Sequence, residues 1–271
     1  MAHVNTTVGR LWVEEAGAGP AVVLWPSLFC DASLWRHQVD ELARDHRLLL
    51  VEGPGHGRSE PRQMPFTLED CARATVEILD AAGLDRAVLA GLSWGGMTFM
   101  RAALQAPERV AALVLIDTSA DPERRLESIR IRGLELLFRR FGFLNTIERA
   151  IIKALLGRTA RRERPEIAAD LASRFRQWNP EGLARAVRAV ILDRKSILHD
   201  LARISCPTLV IVGEEDQATP PACSERIVRR IPGARLVRIA RAGHLSALEA
   251  PMEVNRVMRS FLANCRLPMV D

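Results

Sequence analysis

Ala90-Gly91-Leu92-Ser93-Trp94-Gly95-Gly96 is the stretch on which the fold turns. The run RAVLAGL leading into it, Arg86 to Leu92, is aliphatic and β-branched and reads as a buried strand. The run WGGMTFMRAALQAPERV that follows carries apolar residues at helical spacing as far as the neighbourhood of Pro107. A serine between such a strand and such a helix sits on a sharp, strained turn. Side chains two residues to either side would collide, which accounts for Gly91 and Gly95. The turn lifts the Ser93 hydroxyl clear of the sheet and sets it at a helix N-terminus, where the dipole favours developing negative charge. Ser93 is therefore a candidate nucleophile. The bare G-x-S-x-G pattern is weak; the strand-to-helix context gives it weight.

Working outward, short aliphatic strands alternate with helical stretches. Strands are expected at 10–14, 21–25, 47–52, 87–92, 112–116, 208–212 and 235–239. Helical periodicity fits 35–44, 67–82, 94–106, 221–231 and 251–263. VVLW, LLLVE, ALVLI and TLVIV are apolar throughout, as befits strands covered on both faces of a mostly parallel sheet. The first two strands are expected to form an antiparallel hairpin closed around Gly17-Ala18-Gly19-Pro20. After Ile116 the strand signal stops for about 85 residues, and amphipathic text such as LESIRIRGLELLFRRFG and PEGLARAVRAVILDRK takes over until CPTLVIVGEED. The expected organisation is an α/β core over 1–117 and 204–271, interrupted by a helical insertion over 118–203.

The 271 residues are enough for one large α/β domain with a substantial core. With 48% hydrophobic residues and a mean hydropathy of +0.01, the composition is that of an ordinary globule, and no run is long enough to cross a bilayer. The start MAHVNTTVGRLWVEE lacks the basic and apolar regions of a signal peptide. Cys30, Cys71, Cys206, Cys223 and Cys265 are odd in number and lack CxxC spacing. They read as free thiols in a reducing cytoplasm, not as a disulfide framework or a zinc site. The net charge of +5 is uneven, with 18 Lys or Arg against 11 Asp or Glu between Asp121 and Asp200. A solvated helical surface is the plainer explanation, and a basic mouth that attracts anionic substrates is the sharper one. No aromatic residues interleave with the basic ones, so no nucleic-acid partner is expected, nor a membrane.

An activated serine needs a base, and the base needs an orienting acid. VIVGEEDQATPP places Asp216 just after one strand, and RIARAGHLSALEAP places His244 after the last. In a parallel sheet both loops leave from the edge at which Ser93 projects. Glu214 and Glu215 adjoin Asp216, and Asp117, after the strand that follows the Ser93 helix, is the alternative acid. The oxyanion of a tetrahedral intermediate needs two donors. The backbone N–H of Trp94 is one. The second is expected from WPSLFCDASLW, from Leu28 first and Phe29 second. GPGHG, at 53–57, lacks the dinucleotide fingerprint and reads as a turn, and no metal or cofactor is implied.

WPSLFCDASLW, VEGPGHGRSEP, AGLSWGGM, VGEEDQATPP and AGHLSALEAP, in this order, resemble the α/β-hydrolase family across essentially the whole chain. The resemblance implies an α/β class with a mostly parallel eight-stranded sheet flanked by helices, a helical cap, and Ser93, Asp216 and His244 as a catalytic triad. Many members carry His-Gly where this chain has Pro26-Ser27. Serine followed by leucine there, together with GHLSALEAP, is similar to 3-oxoadipate enol-lactonases and related esterases. The expected activity is hydrolysis of a small carboxylic ester or lactone through an acyl-enzyme. The alternatives on the same scaffold are cofactor-free haloperoxidase or perhydrolase chemistry and C–C bond hydrolysis, and in another class a non-catalytic ligand sensor. Trp25, Phe29, Phe138, Phe141 and Trp178 are the expected pocket residues, with Leu137 and Phe143 beside them and the insertion's arginines turned mostly outward.

Overall fold

The computed structural model describes residues 2–123 and 125–265. Its strands are β1 (Ala2–Thr6), β2 (Gly9–Ala16), β3 (Ala21–Trp25), β4 (Arg47–Val51), β5 (Ala87–Leu92), β6 (Val110–Ile116), β7 (Thr208–Gly213) and β8 (Arg235–Ile239). The helices of the core are α1 (Arg36–Leu42), α2 (Leu68–Ala81) and α3 (Trp94–Gln105). Between β6 and β7 come α4 (Arg125–Phe141), α5 (Asn145–Leu155), α6 (Arg158–Glu163), α7 (Pro165–Phe175) and α8 (Pro180–Val187). The chain ends on α9 (Pro221–Val228), α10 (Ser246–Glu249) and α11 (Pro251–Leu262).

The strands make one eight-stranded sheet in the order β1-β2-β4-β3-β5-β6-β7-β8. The first two pairings are antiparallel and the other five parallel. Because side chains alternate along a strand, each central strand feeds two cores. Val23 and Trp25 of β3 share one with Leu89, Leu113, Ile78 and Phe99, on the α2 and α3 side. Val22 and Leu24 share the other with Val88, Val114, Leu42 and Phe261, on the α1 and α11 side. Strands covered on both faces must be apolar at every position, which is why VVLW and ALVLI carry no alternation. The start of α2 is held by a capping box, Thr67 accepting the Asp70 N–H while Asp70 accepts the Thr67 N–H.

The expected hairpin around Gly17–Pro20 does not form. The antiparallel hairpin lies one strand earlier, between β1 and β2, with Thr6 opposite Gly9. β2 then pairs with β4, and β3 is inserted parallel between β4 and β5. The reason lies in burial: all five residues of β3 are buried, so both its edges and both its faces need covering, whereas β2 is buried on alternate residues. Gly17 and Gly19 do carry positive φ, but they turn the chain against the end of α1, where a Cβ on Gly17 would overlap the Ala43 and His46 carbonyls. β1 itself, AHVNT, gave no strand signal because it is a mostly exposed edge strand.

Among the described residues, everything between β6 and β7 is helical or irregular. α4 is apolar on two sides. Ile131, Leu134 and Phe138 face a cavity over the sheet edge, while Leu126, Ile129, Leu136 and Phe141 are 84%, 64%, 63% and 59% exposed.

Candidate active site

The chain reverses sharply between β5 and α3 at Ser93, which holds φ 55° and ψ −105°. Such a left-handed backbone at a non-glycine residue is strained and persists only where its surroundings enforce it. Here the Ser93 N–H donates to the Ile116 carbonyl at 2.8 Å, and Thr118 Oγ1 donates to the Ser93 carbonyl at 2.7 Å. A Cβ on Gly91 would overlap the backbone of Gly95 and Gly96, and one on Gly95 would overlap the Trp25 carbonyl. The two glycines are thus required by backbone contact, not by flexibility.

The loops after β7 and β8 bring Asp216 and His244 together. His244 Nδ1 lies 3.1 Å from Asp216 Oδ1 and 3.0 Å from Oδ2, with both residues buried. The carboxylate is itself held. Oδ1 accepts the N–H groups of Ala218 and Thr219 at 2.8 and 2.9 Å, and Oδ2 accepts the Thr219 hydroxyl at 2.8 Å. Burial alone would raise the Asp216 pKa, but His244 and these donors outweigh it and hold the carboxyl below its ordinary value. Burial likewise works against the imidazolium, yet the Asp216 carboxylate prevails and holds the His244 pKa above its ordinary value. A carboxylate at Nδ1 leaves Nε2 as the nitrogen free for proton transfer.

Asp117 is also buried next to this pair, but its oxygens are engaged elsewhere. Oδ1 accepts the Gly213 N–H at 2.8 Å and Oδ2 the Ser246 N–H at 3.0 Å. Burial first and the Asp216 charge second push its carboxyl well above the ordinary range. Its position after β6 made it legible as an acid; its two backbone partners make it a brace across the loops that follow β7 and β8. Two further carboxylates support these loops, Glu249, which the sequence pattern does not single out, and Glu215, named there only as a neighbour of Asp216. Glu249 accepts the N–H groups of Gly243 and Leu245 on either side of His244, and that of Gly157 in the insertion. Glu215, beside Asp216, accepts the Thr159 N–H and hydroxyl, each at 2.8 Å. Their signal in the chain was only their adjacency to Asp216 and His244.

His56, in the GPGHG segment, distinguishes the backbone N–H of Leu28 from that of Phe29. His56 Nδ1 donates to the Pro54 carbonyl at 3.1 Å, which leaves Nε2 to accept the Phe29 N–H at 3.1 Å. Burial pushes the His56 pKa down to about 4, in keeping with this neutral tautomer. The Phe29 N–H is thereby spent. Among the described residues, no protein acceptor meets the backbone N–H of Leu28 or of Trp94.

Ser93 and His244 line one cavity of about 620 Å³, together with Leu28, Phe29, Met97 and Phe138. Three of the expected pocket residues lie elsewhere. Trp25 is wholly buried beneath the turn, its ring 5.7 Å from that of Trp94 and 6.2 Å from that of Phe99. Phe141, the last residue of α4 and three on from Phe138, is 59% exposed and lies off the cavity. Trp178 packs on His56 with ring centroids 5.0 Å apart and faces a different, polar cleft. The cavity wall is consequently more aliphatic than expected, with Val187, Val190 and Ile191 contributing. Cations do reach it: Arg130, Arg149, Lys153 and Arg194 lie along its wall. Arg194 is nearly buried there, its Nε donating to the Asp121 carbonyl at 2.7 Å.

A family model described as the alpha/beta hydrolase fold matches residues 20–251. An esterase structure from Thermogutta terrifontis superposes with a TM-score of 0.89 at 30% identity, covering 97% of each chain. An enol-lactonase structure from Burkholderia xenovorans does so with a TM-score of 0.89 at 26% identity, covering 97% of this chain and all of its own. Among curated sequences, pimeloyl-(acyl-carrier protein) methyl ester esterase of Nitrosomonas europaea is 27% identical, over 90% of this chain and 96% of that protein. Polyketide synthase ThaQ of Burkholderia thailandensis is 32% identical over 87% of this chain, which spans only 11% of that protein's length. No helix among the described residues is long and apolar enough to cross a membrane.

Proposed function

Since the chain belongs to the α/β-hydrolase family, we propose that it is a carboxylic ester hydrolase acting on a small ester or lactone by a serine mechanism. The observation that carries this reading is the His244–Asp216 pair, with its Nδ1–carboxylate contacts, on the same cavity as the strained Ser93. In the proposed reaction His244 Nε2 takes the Ser93 hydroxyl proton as Oγ attacks the substrate carbonyl. The oxyanion so formed is met by the N–H groups of Leu28 and Trp94. His244 then delivers the proton to the departing alkoxide, leaving an acyl-serine. A water, deprotonated by His244, releases the acid and regenerates the hydroxyl. Asp216 stabilises the transient imidazolium, whose pKa its charge already raises. The helices between residues 118 and 203 serve as the cap of this site, since residues of α4 and α5 and of the segment after α8 close the cavity over Ser93.

Hydrolysis of a short-chain p-nitrophenyl ester by the purified protein tests the reading, with Ser93→Ala as the control. The variant is expected to lose activity by on the order of 10³-fold or more. Equal turnover by the two proteins would exclude a serine nucleophile. The names carried by the relatives, esterase and enol-lactonase, share attack on an acyl carbon bearing an oxygen leaving group, which supports the proposed reaction.

A further inference from the structure

α4 presents one face to the cavity over Ser93, and its residues there are Glu127, Arg130, Ile131, Leu134, Glu135 and Phe138. Three are apolar, as the wall of a hydrophobic cavity requires. Glu127 and Arg130 pair with each other and are 42% and 64% exposed, whereas Glu135 is a buried polar residue among the apolar ones. Its side chain is only 2% exposed, and its Oε1 has no hydrogen-bond partner among the described residues. The nearest cation is Arg139 on the next turn, 3.8 Å from that oxygen and itself turned outward to Glu181 at 3.3 Å. A carboxylate buried in an apolar wall is costly unless donors meet it, and a leucine would seal the same wall at no such cost. Beyond that long contact to Arg139, no described residue pairs with this oxygen.

We propose that Glu135 is a specificity residue: its carboxylate receives a hydrogen-bond donor, a hydroxyl or an ammonium, carried by the substrate at the end remote from the scissile bond. The proposal rests on the ester-hydrolase reading above and deepens it. Ser93, His244 and Leu28 rise from the carboxyl edge of the sheet, whereas Glu135 comes from the insertion, so a substrate long enough to span the cavity meets both. The other carboxylates of the lining, Glu123 and Glu127, are less buried, with side chains 22% and 42% exposed. A substrate with a plain alkyl tail would leave the carboxylate unpaired, and a site built to bond a donor rejects the analogue lacking it strongly. At Glu135 an acidic tail would meet like charge.

Three matched esters read this out: p-nitrophenyl hexanoate, its 6-hydroxy derivative and its 6-ammonio derivative. The wild-type protein is expected to favour at least one donor-bearing ester over hexanoate by tenfold or more in kcat/KM, chiefly through a lower KM. A preference for both identifies hydrogen-bond donation, and a preference for the ammonio ester alone identifies charge. In Glu135→Leu the ratio between the esters should fall to near one, with Glu135→Gln intermediate for the hydroxy ester. The ratio, not the absolute rate, is the readout. Glu135→Leu should also melt at a higher temperature than the wild type, because an unpartnered buried charge has been removed. A ratio unchanged in Glu135→Leu, no preference in the wild type, or a lower melting temperature would each overturn the assignment, the last by making Glu135 a structural ion. If none of the esters is cleaved, it is the serine-esterase reading that fails. Calorimetric binding of 6-amino-1-hexanol against 1-hexanol, to wild type and Glu135→Leu, then still decides the subsite.

Discussion

Glu249 Oε2 accepts the backbone N–H of Gly157 at 3.0 Å while accepting that of Gly243 at the same distance. One carboxylate thus ties the start of α6 in the insertion to the residue preceding His244. Its other oxygen takes the Leu245 N–H at 3.1 Å, so the His244 loop is held on both sides. Gly157 must be glycine for this approach, since a Cβ would come within 2.8 Å of the Gly243 nitrogen.

Glu249→Gln turns one acceptor oxygen into an amide that faces a backbone N–H with another donor. The expected outcome is a stability loss of about 1–3 kcal/mol and a fall in kcat larger than any rise in KM, because His244 loses its alignment. Urea unfolding together with steady-state kinetics checks it. A variant stable as wild type with unaltered kcat would show that the clamp is idle.

Asp117 and Asp216 separate cleanly by mutation. Asp216→Asn is expected to lower kcat/KM by about 10³–10⁴-fold, since the imidazole loses its orienting charge. Asp117→Asn is expected to cost about 1–3 kcal/mol of stability through its two backbone N–H partners, with less than tenfold lost in kcat/KM. The reverse ranking would make Asp117 the acid.

The pH profile follows from the direction of the His244 shift. A protonated imidazole cannot accept the Ser93 proton, so activity belongs to the high-pH side of its titration. Asp216 raises that pKa above the ordinary 6.5, and the rising limb of kcat/KM should have its midpoint above pH 6.5. In Asp216→Asn the residual activity should titrate at lower pH. A limb that stays in place would dissociate Asp216 from the base.

His56 predicts an acid-side stability effect. Its pKa is depressed to about 4 in the folded protein against 6.5 for the free side chain, so as pH falls the unfolded chain takes up the proton first. Stability from this residue is complete above pH 6.5 and lost progressively down to pH 4, by about 3 kcal/mol over the window. Replacing His56 with Gln should flatten that part of the curve relative to wild type. Parallel curves for the two proteins, measured by denaturant midpoint between pH 7 and pH 4.5, would refute a buried neutral His56.

Local periodicity was enough to locate seven of the eight strands, the turn at Ser93 and the two loops bearing Asp216 and His244. Those features repeat within a few residues, and wholly apolar strands flanked by helices admit few arrangements other than a parallel sheet. Pairing was not legible. That β2 lies against β4 instead of β3 depends on which strand needs two covered edges, and β1 is too exposed to announce itself. Nor could the chain tell the free N–H of Leu28 from the engaged N–H of Phe29, because the partner of Phe29 is His56, 27 residues away. Glu249 and Gly157 meet across 92 residues, and helical spacing could not tell Phe138, on the cavity, from Phe141, on the outside. The sequence by itself determined the order of strands, helices and reactive side chains, since these are written in short-range pattern. Only the tertiary structure decided which backbone N–H groups stay free, which carboxylates brace and which walls close the cavity, because each of these depends on residues that only folding makes neighbours.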